Sequence, residues 1–141
     1  MNTDTQNQVD LTTAEDWTAA WRTQCPENCK AFLIPAVDLI EVLNEMGILD
    51  DATAQAAQNT ATQQSLDIRA YMAIGAEPPS KIPEERLLIV GTQKDSGGVY
   101  RDIINGKIDD TGEKIVDIEG SGIFDFTLPC PTSCDDNSPL N

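Results

Sequence analysis

The sequence has no histidine in its 141 residues and carries only 9 Lys and Arg against 24 Asp and Glu. Without imidazole there is no Ser-His-Asp or Cys-His pair and no histidine metal ligand. The formal charge of −15 repels a phosphate backbone. Nucleic-acid binding needs clustered Lys and Arg to displace counterions, and no two basic residues here are adjacent. An anionic membrane surface is disfavoured on the same ground. Long apolar runs are also missing. Ala31–Ile34 and Leu87–Val90 fall far short of the roughly 18 residues of a membrane-spanning helix. The opening stretch, MNTDTQNQVD, lacks the basic and apolar regions of a secretory signal. The chain therefore reads as cytoplasmic by default, with export by a non-standard route left open. GxSxG, GxxxxGK[ST] and GxGxxG do not occur. Gly120-Ser121-Gly122 is too short to cradle a phosphate and reads as a turn.

What remains is sufficient for a core. A 15.3 kDa chain folds to roughly 7,000 Å² of surface and buries about two-thirds of what its unfolded form exposes. At 40% hydrophobic and 23% charged, the composition is that of a globular protein. Residues 1–11 read as a flexible polar arm. Thr12 and Glu15 have capping-box spacing, and Ala14, Trp17, Ala20 and Trp21 follow at helical spacing, so the two Trp read as core anchors. Pro26 ends this helix. Lys30 to Ile34 reads as a short buried strand. Pro35 then opens a second helix with Val37, Ile40, Leu43 and Met46 as its apolar stripe and Gly47 just past its end. Residues 50–64 (DDATAQAAQNTATQQ) have no large apolar side chain and read as an exposed insertion.

In the second half, Leu66, Ile68, Ala70, Met72 and Ile74 alternate, which predicts a strand with that face buried. Arg86 to Thr92 is an apolar strand, and Lys94 to Gly98 is a turn. Val99 to Asn105 fits a short helix or a strand. Lys114 to Ile118 fits a weak strand, and Gly122 to Leu128 alternates up to Pro129. The order predicts an α+β domain over residues 12–129. Two N-terminal helices would pack on an antiparallel or mixed sheet of about four or five strands, followed by a cysteine-containing tail at 130–141.

All four cysteines sit in two C-P-x-x-C clusters, Cys25/Cys29 and Cys130/Cys134. Three chemistries compete with ordinary free thiols. The four could ligate one tetrahedral zinc, if the clusters meet in space. Each pair, or the two clusters together, could form disulfides if the Cα atoms approach within about 4.4–6.8 Å. A redox pair is the least suited, since Cys25 follows a helix rather than opening one. The acidic doublets Asp50-Asp51, Asp109-Asp110 and Asp135-Asp136 lack calcium-loop spacing and read as solvated charge.

The stretches KAFLIP (residues 30–35), IRAY (68–71), LLIVG (87–91) and DFTLPCPTSC…SPLN (125–141) resemble a group of small bacterial proteins that share this layout. The resemblance spans most of residues 12–141. It implies that the Cys130/Cys134 pair is a family marker and that Cys25/Cys29 is not. The motifs are markers rather than chemical signatures, so no functional residue carries over. With no catalytic residues identifiable and no cofactor implied beyond zinc at the cysteines, the sequence favours a small acidic interaction or self-assembly module over an enzyme. Its partner would be another protein or a second copy. The alternative is a thiolate-based zinc-binding or redox module.

Overall fold

A computed structural model of the chain describes residues 7–105, 120–129 and 135–140. Helix α1 (Leu11–Gln24) leads into strand β1 (Ala31–Pro35), and two helices follow, α2 (Ala36–Glu45) and α3 (Asp51–Gln64). The remaining strands are β2 (Leu66–Gly75), β3 (Glu84–Lys94), β4 (Tyr100–Asp102) and β5 (Ile123–Phe124). The fold is α+β, with three helices and one antiparallel sheet of five strands among the described residues. β1, β2 and β3 are sequential neighbours. β4 and β5 then share the far edge of β3, with β4 against Thr92–Lys94 and β5 against Ile89–Val90.

Helix α1 starts two residues earlier than the capping-box spacing predicts. Asp10 is the N-cap, and its carboxylate accepts from the Thr13 backbone N–H (2.9 Å) and the Thr13 hydroxyl. A carboxylate with two local donors holds an N-terminus better than a hydroxyl does. The residues ahead of it are also engaged. Val9 N–H donates to Ile123 O (3.0 Å), Asp125 N–H donates to Asn7 O (2.8 Å), and Gln8 bridges Phe124. Residues 7–10 therefore extend the sheet beyond β5, where sequence predicts the end of a free arm.

α1 lies across one face of the sheet. There Ala14 packs with Ala73, Leu88, Val90 and Ile123, and Val9, Leu11, Trp17, Tyr71 and Ile104 surround this core. The small residues Ala73 and Gly75 let the helix approach. A Cβ on Gly75 would overlap the Trp17 indole. Trp21 is buried too, and its indole N–H donates to Cys29 O (3.0 Å).

The segment read as an exposed insertion is instead a full helix. Asp50 caps α3 through the Thr53 N–H (2.8 Å), and Ser65 ends it in the left-handed region at φ 53°. Ala54 and Ala61 are buried, and Gln58 Nε2 donates to Val37 O and Glu41 Oε2, both at 3.1 Å. Small side chains permit close helix approach, so α3 packs on α2 without any large apolar residue. α2 starts at Ala36 rather than at Pro35, and its free Ala36 N–H is capped from β2 by Asp67 Oδ1 (3.0 Å). No α2 residue is fully buried, although its apolar stripe predicts a core face. Gly47 follows the helix at φ 74°, as its place in the sequence predicts.

Candidate functional site

The cysteines come first because sequence singles them out. Cys25 and Cys29 are free, with Cys29 Sγ donating to Ala31 O (3.0 Å), so no bridge closes between them. Cys130 and Cys134 lie outside the described residues. No group of three or more His, Cys, Asp or Glu among the described residues is placed to hold a metal ion. The predicted Lys114–Ile118 strand and the Asp109-Asp110 doublet also fall outside the described residues.

On the face beneath α1, a polar clamp ties β2 to β4 over the intervening β3. Arg69 pairs with the Asp102 carboxylate and donates to Tyr100 O (3.1 Å). Tyr71 O–H donates to the second Asp102 oxygen. Burial, reinforced by the Asp102 bond, pushes the Tyr71 phenol above its usual pKa. Tyr71 is therefore protonated at neutral pH and is no base, and Asp102 already serves two donors. The clamp borders a cavity of about 500 Å³ floored by Leu88, Val90 and Ile123 and flanked by Glu15, Thr18 and Arg22 of α1. Arg69 and Tyr71 together engage both oxygens of Asp102, so the clamp fixes β4 against the sheet.

A second clamp holds α1 itself. Arg86 pairs with Asp125 and donates from Nε to Gly75 O (2.9 Å), while its guanidinium lies 4.8 Å from the Trp17 ring centroid. Gln8 closes the edge, with its side-chain oxygen accepting from Ser121 N–H (2.7 Å). The turn at Gly120-Ser121-Gly122 forms as predicted, with both glycines at positive φ.

The opposite face of the sheet is different in kind. The pairing register places Phe32, Ala70, Ile89 and Phe124 side by side across β1, β2, β3 and β5. Ile34, Ile68 and Gly91 form the next row, beside Ile103, whose N–H donates to Gly91 O (2.8 Å). Met72 and Leu87 form a third row. Phe126 lies beside them, its ring centroid 6.2 Å from that of Phe124. From Leu66 to Ile74 on β2 and from Leu87 to Gln93 on β3, no charged side chain points this way. α1 packs on the other face, and most residues of these rows are half-buried. Of their residues only the short Ala70 is buried, while Phe32 is 55% and Phe126 57% exposed.

Both faces of β2 are at least part-buried, but the helix covers the face that the sequence reading did not choose. The set Leu66, Ile68, Ala70, Met72 and Ile74 reads as the buried face, but α1 packs on the other set, Tyr71, Ala73 and Gly75. The reason is steric. A helix carrying Trp17 and Trp21 needs small residues beneath it, and Ala73 and Gly75 supply them. All three phenylalanines of the chain consequently stand on the side away from α1. Helix α2 adds an exposed stripe: Val37 and Glu41 turn toward α3, whereas Val42 and Met46 are 52% and 66% exposed.

Comparison with known proteins gives no match of any kind, whether to a family model, to a curated protein or to a solved structure. No described helix is long and apolar enough to cross a membrane.

Proposed function

We propose that this chain is a small acidic interaction module that works through protein–protein contact rather than catalysis, with the open sheet face as its working surface. One observation carries the reading. The rows from Phe32 to Phe124 and from Met72 to Phe126 form a contiguous apolar surface on the face away from α1, with Phe32 and Phe126 more than half exposed. Monomeric soluble proteins rarely leave apolar patches larger than a few hundred Å² in water, and such patches mark contact sites. Catalysis gains no comparable support. The polar residues under α1 are consumed in clamps, and the described thiols, Cys25 and Cys29, supply two of the four ligands that a structural zinc takes.

The test is a dye titration on the dilute folded chain. Bis-ANS is expected to bind saturably, and the double variant Met72→Lys/Ile89→Lys is expected to lose that binding while keeping its far-ultraviolet circular dichroism. A wild-type chain that binds no dye and shows only monomer mass would refute the reading.

A further inference from the structure

We infer that the occupant of the open face is a second copy of this chain, seated sheet against sheet about a twofold axis that runs along the seam between β2 and β3. The inference rests on the interaction reading above and adds the identity of the partner.

Three features lead to it. The first is area. The five strands hold 31 residues, and at about 3.4 Å along and 4.8 Å across the strands these give a face of roughly 500 Å² in projection. Two such faces together remove roughly 1,000 Å² before side-chain relief is counted, which reaches the size a specific interface must have.

The second feature is shape. A twofold axis along the β2–β3 seam sets β2 of one copy against β3 of the other. Ala70 then opposes Ile89 of the second copy, and Gly91 opposes Ile68 of the second copy. Each small residue meets a β-branched one, so the two surfaces interdigitate as packed sheets require. The outer positions of the same row, Phe32 and Phe124, also meet each other. The face is complementary to itself, which is the condition for an isologous dimer.

The third feature is charge. A chain of net charge −15 that recognised a partner through charge would present acidic groups at the contact. Between Leu66 and Ile74 on β2 and between Leu87 and Gln93 on β3 this face presents none, and Glu85, the register partner of Ile74, sits at the end of the seam. The match for its uncharged centre is another uncharged centre, with Glu85 and Arg101 at the ends of the face and most of the acidic residues of each copy outside the contact. Two copies at −15 repel at long range, and salt screens that repulsion. Self-association should therefore strengthen as salt rises, whereas a basic partner held by charge would be released.

Sedimentation equilibrium of the full chain, over a range of protein concentrations at low and high salt, tests this directly. The expected result is a reversible monomer–dimer equilibrium that tightens in high salt. Ile89→Lys buries an unpaired charge at the centre of the contact and should weaken the dimer by about 100-fold or more. Phe126→Lys alters a residue that is 57% exposed in one copy, so it preserves the fold if Ile89→Lys does not, and it should also weaken the dimer. Gly91→Ala meets only ordinary contact with Ile103 within one copy, so it should leave unfolding unchanged while weakening the dimer about tenfold. A monomer at every concentration that still binds bis-ANS would overturn the second-copy inference and leave the interaction reading standing. A monomer that binds no dye would overturn both. A dimer indifferent to both lysine variants would place the contact elsewhere and refute the inference.

Discussion

Replacing Gly75 by alanine probes how α1 is held. Gly75 is buried in β2 directly beneath Trp17, and an added Cβ overlaps the indole ring. Its backbone takes no positive φ, so the glycine is required by close approach alone. The indole cannot simply swing aside, because Arg86 lies against it at 4.8 Å while also bonded to Gly75 O and to Asp125. Inserting a methyl into a packed site costs about 1–3 kcal/mol. Displacing the ring from the guanidinium forfeits a further ~1 kcal/mol. The sum, about 2–4 kcal/mol, corresponds to a drop in thermal midpoint of roughly 6–16 °C for a chain of this length. Urea unfolding followed by tryptophan fluorescence measures it. The decisive form is a double-mutant cycle with Trp17→Ala. Once the ring is gone the extra methyl has room, so Gly75→Ala should cost under about 0.5 kcal/mol in that background. An equal cost in both backgrounds would refute the steric account.

The Arg86–Asp125 pair is nearly enclosed, with side-chain exposures of 13% and 6%, so Asp125→Ala leaves Arg86 only its longer, exposed ion pair with Glu77 (3.4 Å) and should destabilise by about 3 kcal/mol in the same urea assay. The pH dependence follows from three carboxylates held below the usual 3.8: Asp10 by the Thr13 hydroxyl and N–H, Asp50 by the Thr53 N–H, and Asp95 by the Val99 N–H and then Arg101. A depressed folded-state pKa contributes stability above the unfolded value, and that stability is lost as pH falls through the folded one. The midpoint should therefore hold down to about pH 4 and fall below it, and Asp10→Asn should flatten that fall.

Local chemistry made much of the fold legible. The turn at Lys94–Gly98 is an Asx turn, with Asp95 Oδ1 accepting from Gly97 and Val99 N–H at 2.9 Å, and Gly98 at φ 82°. Strands β2 and β3 announce themselves by alternation and by a continuous apolar run. α3 did not, because a helix whose contact face is Ala54 and Ala61 leaves no apolar periodicity to read. The candidate surface was hidden for a different reason. Alternation separates the two faces of a strand but does not say which one a helix will cover. That choice depended on Ala73 and Gly75 admitting Trp17, a contact between residues almost sixty positions apart in the chain. The clustering of Phe32, Phe124 and Phe126 likewise exists only once the register of four strands is known. The Arg69–Asp102 clamp spans 33 residues and has no signature in either segment.

The stitching of residues 7–9 to β5 sets an order of events during synthesis. Gln8 leaves the ribosome 113 residues ahead of its partner Ser121, and Val9 and Gln8 are likewise far ahead of Ile123 and Phe124. The β2–β3 hairpin can form as soon as Lys94 is free, since its strands are joined by a loop of only eight residues, 76–83. The floor on which Ala14 rests stays incomplete until Ile123 arrives. During that interval the growing chain exposes both faces of its hairpin, one awaiting β5 and the other without cover. Its acidic charge, already abundant in the first half, keeps neighbouring nascent chains apart until the first of those faces closes.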